Sequence, residues 1–198
     1  MNIAVFCSSS NALDKTFYSL AENFGKSLAL HKHTLIFGGA NVGMMKTMAL
    51  AAKKYSAKII GIIPEFFAEK NLTCSALDQT IFVSSMAERK QKIISLADAF
   101  VALPGGFGTL DELSEVIVLK QIAQISNPIV ILNHNGFYDF LLKQFDLFFE
   151  QNFAKAQYKN IIFSTDSIPE LFNYLDNYSP CIDTNWHKVD KSDFSPQK

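Results

Sequence analysis

The sequence predicts an α/β protein with a doubly wound, mostly parallel sheet of about seven strands and helices on both faces. Two observations predict this class. Short apolar runs rich in Val, Ile and Phe alternate along the chain with longer segments that carry apolar residues at spacings of three and four. The short runs are apolar at both odd and even positions, which indicates strands buried on both faces, as parallel sheets require.

Each strand is predicted from one such run, and each helix from a periodic segment between runs. In chain order the strand runs are NIAVFC (2–7), HTLIFG (33–38), AKIIGII (57–63), TIFVSS (80–85), AFVALP (99–104), PIVILN (128–133) and NIIFS (160–164). Helices are predicted near 14–31, 43–56, 85–97, 109–124, 137–151 and 167–176. Residues 64–78 lack a clear period, and we expect a short helix or loop there that lies over the strand ends and could act as a lid.

The length of 198 residues fits one domain, with 1–179 as a Rossmann-like nucleotide-binding domain. The polar segment 180–198 has too few apolar residues to order itself, and we expect a flexible tail. No apolar stretch is long enough to cross a bilayer and the N-terminus lacks the features of a signal peptide, so we expect a cytoplasmic protein without a membrane partner. Cys7, Cys74 and Cys181 are far apart and are predicted to be reduced thiols.

The charge of the chain argues against a nucleic-acid partner. The net charge is −1 and the isoelectric point is near 6.4, so no global positive field attracts a polyanion. Of the 18 cations, only Arg89 is an arginine. Arginine offers the planar, bidentate fork that lysine lacks. Arg89 is therefore a candidate site residue, with a solvated surface arginine as the alternative.

Two glycine-rich turns are the candidate phosphate sites. The chain has neither a GxGxxG motif after its first strand nor a GxxxxGK[ST] motif, so dinucleotide-binding and nucleoside-triphosphatase readings are excluded. Instead, FGGANVGMM (37–45) and LPGGFGTLDEL (103–113) each join a strand to a helix, where backbone N–H groups and the helix dipole attract an anion. The predicted ligand-binding residues are Gly38, Gly39, Gly43, Gly105, Gly106, Phe107, Gly108 and Thr109. Ser8 and Ser9, after the first strand, could touch a nucleotide or cap the next helix.

Charged residues flank the second turn. Thr109 and Glu112 are spaced as a T-x-x-E capping box, and Asp111 adds negative potential. A carboxylate at a helix start is favoured in its charged form, so we expect Glu112 to be ionised at pH 7.

A second capping box is predicted at Ser85 and Glu88, at the start of the helix that carries the arginine. Arg89 and Lys90 then lie close to the N-terminal end of that helix and oppose its dipole. A nearby anionic ligand would offset this cost, whereas the alternative is a pair of solvated cations.

His31 and His33 form an HxH motif near a helix end. No third ligand accompanies them in the sequence, so structural roles are predicted for both and no metal site is expected.

The motifs MAERK, LPGGFGTLDE and FGGANVGMM together resemble the LOG ("Lonely Guy") family of cytokinin-activating phosphoribohydrolases, whose signature is PGGxGTxxE. The fixed positions of that signature are met by Pro104, Gly105, Gly106, Gly108, Thr109 and Glu112. The resemblance implies hydrolysis of the N-glycosidic bond of a purine nucleoside 5′-monophosphate, without a metal or other cofactor, by a homodimer in which Arg89 and Glu112 are catalytic. Family members are often labelled lysine decarboxylases, but nothing in this sequence argues for a pyridoxal phosphate site.

The sequence departs from the family pattern at five positions. Glycine is common in the family where this chain has Ser8, Ala40 and Lys46, a substrate-binding Glu aligns with Asn71, and a Thr aligns with Val118. These positions are expected around the base and the phosphate. The resemblance therefore carries over the hydrolase core without fixing the preferred base.

The resulting hypothesis assigns the 5′-phosphate to the N–H groups at 39–43 and 105–109 and to the Thr109 hydroxyl. Arg89, assisted by Lys90, would orient substrate, and Glu112 would act on the ribose as a base or electrostatic stabiliser rather than as a general acid. The alternatives are a broader nucleoside 5′-monophosphate nucleosidase and a non-catalytic nucleotide or molybdenum-cofactor carrier on the same fold.

Overall fold

The computed structural model describes residues 1–68 and 73–180. Seven parallel strands form one sheet in the order β4-β3-β2-β1-β5-β6-β7. The strands are β1 (Asn2–Phe6), β2 (Thr34–Phe37), β3 (Ile59–Pro64), β4 (Gln79–Val83), β5 (Ala99–Ala102), β6 (Ile129–Leu132) and β7 (Phe163–Thr165). The prediction of a doubly wound α/β sheet is confirmed, and the sheet is wholly rather than mostly parallel.

Helices cover both faces of this sheet. They are α1 (Lys15–Leu30), α2 (Gly43–Lys54), α3 (Glu65–Ala68), α4 (Met86–Leu96), α5 (Phe107–Gln121), α6 (Asp139–Glu150) and α7 (Ile168–Asp176). One apolar core joins α1, α2 and α7 to one face of the sheet, and a second joins α4, α5 and α6 to the other. None of the helices in the described part of the chain combines the length and the apolar character needed to cross a membrane.

The strand order places the site. The chain steps from β1 outward through β2, β3 and β4, then returns to pair β5 with β1 and steps outward on the other side. Ligands of open α/β sheets bind outside the carboxyl ends of the strands at such a reversal. The segment after β1 and the turn after β5 meet here, because the backbone N–H of Ser8 donates to the carbonyl of Pro104 at 3.2 Å.

Some expectations lie partly outside the described residues. Within 64–78, β3 ends at Pro64 and the short helix α3 follows it, while Asn71 belongs to the stretch that is not described. The lid role stays a prediction, as does the flexible tail, since 181–198 are not described. Cys7 and Cys74 are buried free thiols, as expected, and Cys181 is outside the described range.

The prediction that His31 and His33 have no third partner is wrong. Asp176, the last residue of α7, accepts hydrogen-bonding contacts from both rings. Sequence reasoning missed it because Asp176 is more than 140 residues away along the chain and joins the pair only when α7 packs beside α1.

Candidate active site

The turn after β5 leaves the start of α5 open. The helix begins at Phe107, its N-cap is Gly106, and no side chain caps it. A Cβ added at Gly106 or at Gly108 would meet nothing within 4 Å. The first-turn N–H groups, together with the positive end of the helix dipole, therefore face free space, which is the arrangement that binds a phosphate or carboxylate.

The predicted capping box at this helix is wrong. Because α5 starts at Phe107, Thr109 and Glu112 lie inside the helix rather than at its cap. Thr109 is buried and packs instead against Gly105, where an added Cβ would lie 2.7 Å from the Cβ of Thr109. Gly105 is thus required by the packing of Thr109 beneath the turn. The second capping box is confirmed, since Ser85 caps α4 by accepting from the N–H of Glu88.

Tyr138 supports the turn from below and was not found from the sequence. Its side chain is buried, and its hydroxyl donates to the carbonyl of Leu103 at 2.8 Å. Burial raises the pKa of this hydroxyl, although a hydrogen bond from the Gly105 backbone opposes the shift. Tyr138 is reached through the segment between β6 and α6, whose sequence carries no motif that would have identified it.

Arg89 is buried beside the end of β2. Only 8% of the residue is exposed, and its guanidinium occupies the space that a Cβ at Gly38 would fill. Its Nε has no hydrogen-bond partner among the described residues, and Nη1 makes only a 3.7 Å contact with the Sδ of Met86. A buried guanidinium without polar partners is costly, so the site is short of an anionic or polar group that a ligand could supply. Arg89 is not the solvated surface arginine of the alternative interpretation.

Glu112 lies in the field of this arginine. Burial raises the pKa of the Glu112 carboxyl to about 7, while the charge of Arg89 opposes the shift and that of Asp111 adds to it. The expectation that Glu112 is fully ionised at pH 7 is therefore wrong. The physical reason is that Glu112 lies beyond the first turn of α5, where desolvation outweighs the N–H groups and dipole of the helix start.

Lys90 contacts the carboxylates around Glu112 rather than Glu112 itself. Its Nζ lies 2.9 Å from Asp111 and 2.8 Å from Glu115, and these contacts raise the pKa of the ammonium group. The ion pairs join α4 to the first half of α5. Lys90 is thus not the solvated cation of the alternative interpretation, and it partly neutralises the negative charge next to Glu112.

The first glycine-rich turn is used differently from the second. Gly39 and Gly43 have φ of +70° and +55°, a region that favours glycine. The N–H of Gly43 donates to Oδ1 of Asn11 at 2.8 Å, and the N–H of Met44 donates to the carbonyl of Ser8. The loop after β1 therefore covers the start of α2, so these two N–H groups already have partners in the protein.

Ser8 and Ser9 do not cap α1, because its cap is Asp14. Ser8 instead lines a cavity of about 250 Å³ together with Gly105 and Gly106. The backbone of Ser9 fills the space beside Gly43, where an added Cβ would lie 2.6 Å from its carbonyl carbon.

Phe107 and three of the positions that depart from the family pattern do not line this cavity. Phe107 is 93% exposed, and Val118, on the same helix, is 51% exposed. Ala40 pairs with Thr73 in an isolated antiparallel bridge, and the ammonium of Lys46 lies near the Cys74 thiol.

The fold and the site thus define an α/β protein with an uncapped helix start, a buried arginine and a titratable carboxyl group near the reversal of strand order.

The chain is similar to the proteins of one enzyme family. A protein-family model described as "Possible lysine decarboxylase" matches residues 45–175. The cytokinin riboside 5′-monophosphate phosphoribohydrolase LOG2 of Arabidopsis thaliana is 36% identical over 90% of this chain and 84% of its own length. LOG7 of the same plant is 32% identical over 98% of this chain and 92% of its own. The chain belongs to this LOG family and is an enzyme that hydrolyses N-glycosyl bonds.

Solved structures share the fold. The molybdenum cofactor binding protein of Rippkaea orientalis aligns with a TM-score of 0.68 at 24% identity over 88% of this chain and 94% of its own. The molybdenum cofactor carrier protein of Chlamydomonas reinhardtii aligns with the same score at 19% identity, over 88% of this chain and 95% of its own. At these identities the likeness concerns the fold alone.

Proposed function

We propose that the chain hydrolyses the N-glycosidic bond of a purine nucleoside 5′-monophosphate, cytokinin-type or AMP-like, to the free base and ribose 5-phosphate. The observation that carries this proposal is the buried guanidinium of Arg89, which lies against Gly38 with an unpaired Nε and in the field of Glu112. The names of the related phosphoribohydrolases support it.

The 5′-phosphate belongs at the open start of α5. There the N–H groups after Gly106 have no capping side chain, and the empty spaces at Gly106 and Gly108 let phosphate oxygens approach the backbone. The hydroxyl of Thr109 is assigned to the phosphate as well. The N–H groups of Gly43 and Met44 contribute less than the sequence alone predicts, because Asn11 and Ser8 already accept them.

Glu112 carries out the proton transfers in this proposal. A carboxyl group that titrates at about 7 can both donate and accept a proton at neutral pH. As the bond between C1′ and the base breaks, its electron pair stays with the base nitrogen, which takes the proton of Glu112. The resulting carboxylate stabilises the positive charge on the ribose and then accepts a proton from the water that adds to C1′. The raised pKa thus removes the reason for excluding Glu112 as the general acid.

In this proposal Arg89 positions the substrate and stabilises the charged form of Glu112. Its fixed charge favours the carboxylate that forms on Glu112 after proton transfer, and its unpaired Nε is free to donate to a substrate oxygen. The Arg89→Lys variant keeps the charge and loses the planar fork, so we expect at least about 100-fold slower turnover from it.

Base release from nucleoside monophosphates tests the proposal. Purified protein is incubated with AMP, GMP and isopentenyladenine ribotide, and free base and ribose 5-phosphate are quantified. Release from the ribotide alone identifies a cytokinin-type enzyme, and comparable release from several monophosphates identifies the broader nucleosidase. Tight binding without release would refute hydrolysis of these nucleotides and favour the carrier.

We also propose a homodimer. Met44 and Met48 are buried in the core and so cannot belong to a dimer face. A groove of about 530 Å³ runs between α5 and α6, lined by apolar side chains that include Ile117, Val118 and Phe148. An exposed apolar groove of this kind is typical of a protein–protein interaction site. Light scattering coupled to gel filtration tests the mass, and a monomer at every concentration would refute the proposal.

A further inference from the structure

Three potential metal ligands lie close together at the end of the sheet where the strands begin, opposite to the end that carries the candidate active site. His31 follows α1, His33 precedes β2 and Asp176 ends α7. Nδ1 of His31 lies 2.7 Å from one carboxylate oxygen of Asp176, and Nε2 of His33 lies 2.9 Å from the other. One ligand atom from each residue lies within 4.8 Å of the other two. The cluster is separate from Arg89 and Glu112, because it lies beside the start of β2, whereas the candidate active site lies beyond the carboxyl ends of the strands.

The surrounding residues hold these side chains in place. The ring of His31 stacks on that of Phe172 with centroids 4.6 Å apart, and the ring of His33 stacks on the same phenylalanine at 5.9 Å. The amino group of Met1 lies 3.3 Å from Nδ1 of His33, behind the nitrogen that faces Asp176. His33 is buried, whereas the side chains of His31 and Asp176 are 38% and 37% exposed. The cluster thus has a fixed inner side and an open outer side.

The ligand set selects a class of ion. Two imidazole nitrogens and one carboxylate oxygen suit Zn²⁺ and similar transition-metal ions, whereas Mg²⁺ and Ca²⁺ prefer oxygen ligands alone. Zn²⁺ bonds of about 2.0–2.2 Å place tetrahedral ligands roughly 3.3–3.5 Å apart. Donor atoms within 4.8 Å of one another reach that spacing by small rotations of the exposed His31 and Asp176.

We propose that His31, His33 and Asp176 form a binding site for one divalent transition-metal ion of the Zn²⁺ type, with water in the remaining position. The ion takes the place of the two imidazole protons that otherwise point at the carboxylate. His31 then carries its proton on Nε2, whereas His33 releases one proton to solvent and receives on Nδ1 a proton from the adjacent Met1 ammonium. The bound ion joins the end of α1, the start of β2 and the end of α7, so its expected effect is to stabilise the fold.

Calorimetric titration of the full, tag-free chain with ZnCl₂, after removal of metal with a chelator, tests the site. We expect one ion per chain, no comparable binding of MgCl₂, and at least about tenfold weaker Zn²⁺ binding in both His31→Asn and Asp176→Asn. His134→Asn is the matched control, and it should bind as the wild type does. Loss of binding in a control, equal binding in the two site variants, or no binding below about 1 mM would overturn the proposal.

Two further readouts separate metal binding from a structural role of the hydrogen bonds. Co²⁺ in place of Zn²⁺ should give the visible absorption of a low-coordinate nitrogen and oxygen site, and the imidazole NMR signals of two histidines should shift together. Added Zn²⁺ should raise the Tm of the wild type by more than that of His31→Asn at the same concentration. His31 is exposed and distant from the active site, so His31→Asn should keep the wild-type rate of base release. A histidine pair whose signals do not respond to Zn²⁺ would contradict the assignment.

Discussion

Gly38→Ala should slow catalysis by displacing Arg89. In the folded protein a Cβ at Gly38 would overlap Nη2 of Arg89 and lie 2.8 Å from its Cζ. Carbon atoms in ordinary contact are about 3.5–4.0 Å apart, so Cζ has to retreat by about 1 Å and the overlapping Nη2 by more than that. A shift of that size in a positioning group costs about 100-fold in rate, equivalent to about 2.7 kcal/mol of transition-state stabilisation. The backbone of Gly38 needs no positive φ, and Arg89 is a flexible chain at this contact, so the variant should remain folded.

A double-mutant cycle isolates this effect. Base release from AMP is measured for the wild type, Gly38→Ala, Arg89→Ala and the double variant, with circular dichroism as the check on folding. If Gly38 acts through Arg89, the alanine at 38 should add almost nothing once Arg89 has been removed. Equal losses from Gly38→Ala in both backgrounds would refute the reasoning and assign Gly38 a direct contact with substrate.

Four other predictions concern the carboxyl group, the turn and the dimer face. The pKa of Glu112 is about 7 in the folded protein and near 4.3 in the unfolded chain, so ionisation of Glu112 lowers the free energy of unfolding as the pH rises between these values. Glu112→Gln lacks this loss, so between pH 5 and pH 8 its free energy of unfolding, measured with urea, should rise by about 1–3 kcal/mol relative to that of the wild type. The same pKa predicts that kcat/KM falls as pH rises above about 7, and a profile that rises there would contradict the acid role. Tyr138→Phe leaves the carbonyl of Leu103 unpaired and should cost about 1–3 kcal/mol in urea unfolding and raise KM for AMP more than it lowers kcat. Phe148→Glu should shift the mass from dimer to monomer, and a retained dimer would move the interface away from the groove between α5 and α6.

Much of the fold follows from the sequence because each element has its own periodicity. The run IIGIIP is buried at every position, which is the signature of a strand covered by helices on both faces. The least accurate strand boundary is that of β7, predicted at 160–164 and found at Phe163–Thr165. There the apolar run is short and is preceded by a short 3-10 helix at Ala156–Asn160, whose residues carry no strong signal.

The candidate site was less predictable, because its properties depend on contacts between distant segments. The signature from Pro104 to Glu112 could be read directly, but the start of α5 could not, since the uncapped Gly106 leaves no side-chain signal for it. The raised pKa of Glu112 depends on burial among several elements, which periodicity does not report. The contact of Arg89 with Gly38 joins helix α4 to the turn after β2, about 50 residues apart in the chain, and is visible only once β2 and α4 are packed.

We propose above that Arg89 and Glu112 act together to cleave the N-glycosidic bond of a nucleoside 5′-monophosphate. The most direct test measures free base and ribose 5-phosphate released from AMP, GMP and isopentenyladenine ribotide by the wild type and by Glu112→Gln, with Glu150→Gln as the matched control at the exposed end of α6. We expect equimolar release of both products by the wild type and by Glu150→Gln, and none by a folded Glu112→Gln. Undiminished release by Glu112→Gln, or no release of base by the wild type from any of the three, would contradict it.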